Sequence, residues 1–271
     1  MNYHSDEWIM SRIKEHYKEA NQYFDENRII GIFNQGSANY GLDYETSDVD
    51  TKLIVVPTFK DIALAKKPVS TTHIRANDEH IDYKDIRLYV ETFYKQNLNF
   101  LEILFTPYTI INPLYEKEWM RLVEAREQIA HMNPWRAVKS MKGVALEKFH
   151  ALEHDYPSRL HVLAKNGYDP KQLHHLIRVD NFLTQYIAGK PYGETMIPEE
   201  KMRAFLMDIK RGNWELTAAR ELAEQSLTHI NKISDEFFSE MEDKEDSAMR
   251  ELLEDVSYNI MKIAVEEELK V

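Results

Sequence analysis

Apolar residues recur along this chain with two different periods, and the change from one to the other falls near residue 112. Trp8, Ile9, Ile13 and Tyr17 sit at helical spacing behind Ser5, a capping residue, with Asp6 and Glu7 in the first turn, so the pattern predicts a helix over 5–26. The run Arg28-Ile29-Ile30-Gly31-Ile32-Phe33 predicts a buried strand leading into a Gly36-Ser37 turn, and a second strand is predicted over 48–56, ended by Pro57. Segments 71–75 and 79–83 flank Ala76-Asn77-Asp78 and predict a hairpin. Helices are predicted over 86–95 and 100–105, followed by a loop over 106–112. Beyond that loop strand signals largely vanish, and 113–131, 134–154, 170–188, 198–211, 216–240 and 246–269 all read as helices. The switch in period predicts an α+β chain with a domain boundary at 112: residues 1–112 carrying the strands, residues 113–271 all-α.

Composition narrows the class of protein. The 271 residues are 43% hydrophobic and 30% charged, and no apolar stretch approaches the roughly 20 residues of a membrane span. With no cysteine, disulfides and thiolate metal sites are excluded, and with no basic-then-apolar start a signal peptide is not expected, so the expected location is cytoplasmic. The net charge of −12 argues against a protein that coats long duplex DNA. That charge is uneven: residues 1–112 hold 12 Lys/Arg against 17 Asp/Glu, 234–271 hold 4 against 13, and 113–233 hold 18 against 16 with seven of the eleven histidines. The middle segment is therefore where contacts to an anionic ligand are expected.

The chemistry-bearing stretch is Gly36-Ser37-Ala38-Asn39-Tyr40-Gly41-Leu42 with Thr46-Ser47-Asp48-Val49-Asp50. A turn of small residues offers backbone N–H groups to phosphate, and carboxylates two apart on a strand share a face and can hold Mg²⁺. A third carboxylate from a neighbouring strand commonly completes such a site. Asp82, between Ile81 and Tyr83, has the apolar-acid-apolar setting for it; Asp85, at the strand end, and Glu79, in the turn, compete. Taken singly, Gly-Ser turns and Asp-x-Asp pairs are usually structural. Their order here is more specific: strand, Gly-Ser, twelve residues from Gly36 to Asp48, a serine before the first acid, then an apolar strand.

In that order the chain resembles the nucleotidyltransferase superfamily that includes DNA polymerase beta. With Gly36, Gly41 and the fuller string through Asp50 it resembles one bacterial and phage branch of predicted nucleotidyltransferases. Asn97-Leu98-Asn99-Phe100-Leu101-Glu102-Ile103-Leu104 and Ile209-Lys210-Arg211-Gly212-Asn213-Trp214 look like later segments of that branch, so the resemblance covers residues 31–224. It implies a short mixed sheet backed by helices, and two Mg²⁺ ions held by Asp48 and Asp50, with Asp82 on the catalytic ion and assisting deprotonation of the acceptor. Gly36 and Ser37 would bind the triphosphate. Ser47 is either a phosphate contact or a turn residue, and Lys52, where relatives often carry Arg, is either a phosphate contact or an exposed strand residue.

In the helical half, Asp169 as cap, Pro170 at the first position and Gly189 beyond the end frame a helix. At about 100° per residue Leu173, Leu176, Ile177, Leu183 and Ile187 share an arc, with Lys171, His175 and Arg178 about opposite. By spacing alone those three are a solvated face; by resemblance they are nucleotide or acceptor contacts. Asp180 falls inside the apolar arc and requires a partner. Tyr40 and Trp135 are candidates for stacking on a base. The expected activity is Mg²⁺-dependent transfer of a nucleoside monophosphate, AMP from ATP, with release of pyrophosphate. The acceptor, whether an RNA end, a protein or a small molecule, is left open. The alternative is a nucleotide-binding sensor or interaction module of the same fold without turnover.

Overall fold

The strand signals of the first third produce one five-stranded sheet, in a computed structural model that describes residues 2–270. The elements in chain order are α1 (Asp6–Ala20), β1 (Ile29–Gln35), β2 (Asp50–Val55), α2 (Phe59–Ala63), β3 (Ser70–Ile74), β4 (His80–Asp85), α3 (Ile86–Tyr94), α4 (Leu98–Leu101), β5 (Thr109–Ile111), α5 (Pro113–Glu124) and α6 (Arg126–Ala130). They continue with α7 (Pro134–Ala151), α8 (Leu160–Asn166), α9 (Pro170–Ile187), α10 (Tyr192–Met196), α11 (Glu200–Lys210), α12 (Leu216–Glu240) and α13 (Ser247–Glu268). The class is α+β, with a mixed sheet and a helical remainder. No helix among the described residues is long and apolar enough to cross a membrane.

The sheet order is β3-β4-β2-β1-β5. All neighbours are antiparallel except β2 and β4, which run parallel with Lys52 beside Asp82 and Thr51 beside Ile81. The predicted hairpin is β3 and β4, and β5 is a strand where a loop was expected. Three residues of β5 are too few for a period-2 signal; the sheet edge of β1, paired at Gly31, Ile32 and Phe33, supplies what the sequence lacks. Side chains alternate across β2, so Val49, Leu53 and Val55 join Ile81 and Tyr83 under Ile9, Ile13 and Ala20 of α1 in one core. Asp50, Lys52, Asp82 and Lys84 fall on the other face. Ser5 caps α1 as expected, accepting from Trp8 N–H.

The chain divides into two compact units, one running to Met132 and resuming at Glu245, the other Asn133–Lys244. The expected boundary at 112 therefore lies inside the first unit. Residues just beyond 112 complete the sheet's packing: Trp119 of α5 is fully buried with its ring 4.8 Å from that of Phe33, and α13 returns to pack on α5 and α3. The hydrophobic period marks where strands stop, which is not where the core stops. In the second unit α9 is central, packed by α7, α11 and α12.

Candidate functional site

The Gly-Ser turn follows directly from β1. Gly36 adopts φ 96° and ψ −150°, a backbone conformation that side chains resist, and Ser37–Tyr40 then form one 3-10 turn closed by Gly41 at φ 66°. Asn39 holds the turn from beneath: its amide donates to Asn34 O at 2.9 Å, and its oxygen accepts from Asn34 Nδ2 at 2.8 Å and Thr106 Oγ1 at 2.7 Å. The Ser37 and Ser47 hydroxyls lie 3.5 Å apart, so two residues expected at phosphate are neighbours. Ser47 Oγ also accepts from Tyr44 N–H at 3.0 Å, which is the turn role.

Asp50 opens β2, in register with Gln35 at the end of β1. Its Oδ1 accepts from His80 N–H at 2.8 Å. Asp82, half-buried on β4, accepts from Thr72 Oγ1 at 2.6 Å and lies 3.4 Å from Gln35 Nε2. Asp48 precedes the strand, is exposed, and opens onto a cleft of about 380 Å³ whose lining includes Trp8, Arg12, Ser47 and Asn77. Among the described residues no three His, Asp or Glu side chains surround one point closely enough to hold a metal ion. In kind the three carboxylates fit Mg²⁺, which takes hard oxygen donors and is commonly bound through only one or two carboxylates. The two competitors of Asp82 are engaged elsewhere: Asp85 caps α3 and pairs with Arg87, and Glu79 is buried on the α1 side with Arg12, Arg75 and His16.

Lys52 is not an exposed strand residue: it is 4% exposed, its ammonium donating to Gln35 Oε1 and standing 4.8 Å from the Phe100 ring centre. Lys84 approaches the same ring at 4.2 Å. Burial pushes the Lys84 ammonium below its ordinary range, and the neighbouring Lys52 charge adds to the shift while Asp82 opposes it. Gln35, Lys84 and Phe100 were not singled out from the sequence. The available signal was parity: Lys84 is two residues from Asp82 and shares its face, and Gln35 ends the strand before Gly36.

Other expectations sort by burial. Tyr40 is buried, its hydroxyl donating to Glu102, so it offers no ring for stacking. Asn97 caps α4 through Asn99 N–H. Trp135 packs on Phe238 with ring centres 5.0 Å apart. On α9, Asp169 caps as expected, accepting from Lys171 N–H at 2.9 Å and pairing with Arg159. Lys171 is exposed, His175 half-buried and Arg178 buried, so the three do not form a solvated face. Burial holds His175 far below its ordinary range, with Arg178 adding to the shift, so at neutral pH it is not a cation. Asp180 has its partners on α12, Ser226 Oγ at 2.7 Å and His229 Nδ1 at 2.7 Å.

No protein-family profile matches the chain, and no curated protein sequence does. Among solved structures it is similar to a nucleotidyltransferase-like protein from Exiguobacterium sibiricum 255-15, at 9% identity and a TM-score of 0.32, over 84% of this chain and 75% of that one.

Proposed function

We propose that this protein is a Mg²⁺-dependent nucleotidyltransferase that moves a nucleoside monophosphate, AMP from ATP, onto an acceptor. The observation that carries the reading is the juxtaposition of a Gly36-Ser37 turn at the end of one strand with Asp50 and Asp82 on one face of the next two. An acceptor oxygen attacks the α-phosphorus, the bond from that phosphorus to the bridging oxygen breaks, and pyrophosphate leaves with the electron pair. The acceptor proton goes to the Asp82 carboxylate. Asp48, Asp50 and Asp82, which do not converge on one point here, would have to draw together to hold the metal, which when bound would polarise the phosphoryl oxygens and offset charge developing on them. Backbone N–H groups from Gly36 to Ala38, with the Ser37 and Ser47 hydroxyls, orient the triphosphate. Lys52 and Lys84 supply positive charge beside Asp82, on the face where the leaving group's negative charge develops.

The test is incubation with labelled ATP, GTP, CTP and UTP, with Mg²⁺ and with RNA, protein and small-molecule acceptors. Label transfer by the wild type and its loss in Asp50→Asn supports the reading; folded protein that binds no nucleotide with metal present overturns it. Nucleotide binding that survives Asp50→Asn and Asp82→Asn, without transfer in any arm, favours a non-catalytic sensor.

A further inference from the structure

The face of the sheet away from Asp50 and Asp82 holds a polar cluster that the proposed reaction does not use. His16 of α1 is fully buried where a helix packed on a sheet ordinarily presents an aliphatic side chain. Its Nδ1 lies 2.9 Å from Thr51 Oγ1 and its Nε2 2.9 Å from Glu79 Oε2. Glu79 also accepts from Arg12 Nη2 at 2.5 Å, Arg12 Nε at 3.1 Å and Arg75 Nη1 at 2.7 Å. Burial alone would raise the Glu79 carboxyl, but the hydrogen bonds from His16 and Arg12 outweigh it and hold the group well below the usual carboxylate range. An ionised carboxylate only accepts, so His16 donates from Nε2 to Glu79, while its Nδ1 is within hydrogen-bond distance of the Thr51 hydroxyl, which can donate or accept.

Every residue at the start of β2 is tied into this cluster or to the strand end beside it. Val49, between the two aspartates, donates its N–H toward Glu79 Oε1 at 3.4 Å. Asp50 is held by the N–H of His80, the residue after Glu79. Thr51 is held by His16. Apolar packing against α1 sets the distance between helix and sheet but resists sliding along the strand weakly; hydrogen bonds are directional and resist it.

We propose that His16 and Glu79 are positioning residues for the Asp48 and Asp50 pair, fixing from the back of the sheet where β2 begins relative to Asp82 on β4. This rests on the reading of those carboxylates as metal ligands. Arg12 and Glu79 line the cleft onto which Asp48 opens, while His16 is fully buried and acts through Thr51, Val49 and the 79–80 backbone.

The test titrates Mn²⁺, with ATP present, into wild type, His16→Phe, His16→Gln and Thr51→Val, reading bound metal by electron paramagnetic resonance and folding by circular dichroism. Phe keeps a ring and removes both hydrogen bonds. Gln has an oxygen and an NH₂ on one carbon, the same one-three relation as the two ring nitrogens, so it can accept from Thr51 and donate to Glu79. The expected result is Mn²⁺ binding about tenfold weaker in His16→Phe and Thr51→Val, as for loss of outer hydrogen bonds to metal ligands, and wild-type affinity in His16→Gln. Where His16→Phe fails to fold, Thr51→Val carries the test. Unchanged Mn²⁺ affinity in the folded variants, or failure of His16→Gln to restore it, overturns the positioning role. A wild type that binds no metal-nucleotide overturns the functional reading itself, which separates the two failures.

Discussion

At the residue scale the candidate site is a matter of parity. Asp50, Lys52, Asp82 and Lys84 alternate with core residues on two parallel strands, so acids and amines interleave on one face. Asp82 is beside Lys52 and accepts from Thr72, and Asp50 is tied to the backbone of His80. Replacing either acid by Asn keeps the volume and removes the charge. Asp50→Asn and Asp82→Asn are each expected to lower label transfer about a hundredfold or more, the scale of one acid-base group, with melting temperatures close to wild type. Gly36 makes a second case. At φ 96° a Cβ is strained although nothing stands within 4 Å of it, so Gly36→Ala is expected to cost about 1 kcal/mol in urea unfolding. The same change is expected to weaken nucleotide binding by turning the Ser37 N–H, measurable by calorimetric titration with ATP and Mg²⁺.

At the element scale α9 shows what helical periodicity leaves out. Its five predicted apolar positions identify one contact face, but α7, α11 and α12 all pack on it, so Arg178 and His174 are buried as well. His174 donates its Nδ1–H to Leu206 O at 3.0 Å, and burial, with smaller contributions from Lys210, Arg178 and Lys171, outweighs that bond and pushes its pKa from 6.5 down to about 3. Between those values the unfolded chain binds a proton that the fold does not, so stability is greatest above pH 6.5 and falls as pH drops toward 3. His175 shifts in the same direction. Urea midpoints at pH 7.5 and pH 5 are expected to fall toward acid in the wild type and to differ less in His174→Asn, which keeps a hydrogen-bonding amide near Nδ1. Asp180 settles a conflict within the same helix, since an acid inside an apolar arc is tolerated once Ser226 and His229 meet it. Asp180→Ala is expected to cost about 1–2 kcal/mol, the loss of two hydrogen bonds to a charged group at a partly exposed position.

At the scale of the whole molecule, the chain order and the compact units disagree. The last helix, α13, belongs with the sheet through α5 and α3, although more than a hundred residues separate it from them in sequence. Leu253, Val256 and Ile260 are its buried stripe. Deleting residues 245–271 is expected to raise amide exchange across β1, α3 and α5 while α9 and α12 keep their protection, read by hydrogen exchange with mass spectrometry. The sequence by itself determined the types of the longer elements, the Gly36-Ser37 turn and the position of both Asp48 and Asp50 at the entry to β2, and it nominated Asp82 as an acid flanked by apolar neighbours. Each of these is local: spacing, capping and turn chemistry act over a few residues and leave a readable period. What only the tertiary structure decided is which residues those elements bury together. The burial of Lys52 and Arg178, the β5 edge, the partners of Asp180 and the His16–Glu79 cluster behind Asp50 all join segments far apart in the chain. A contact between distant segments leaves no period in either one, so the pattern that announces the carboxylates is silent on what holds them.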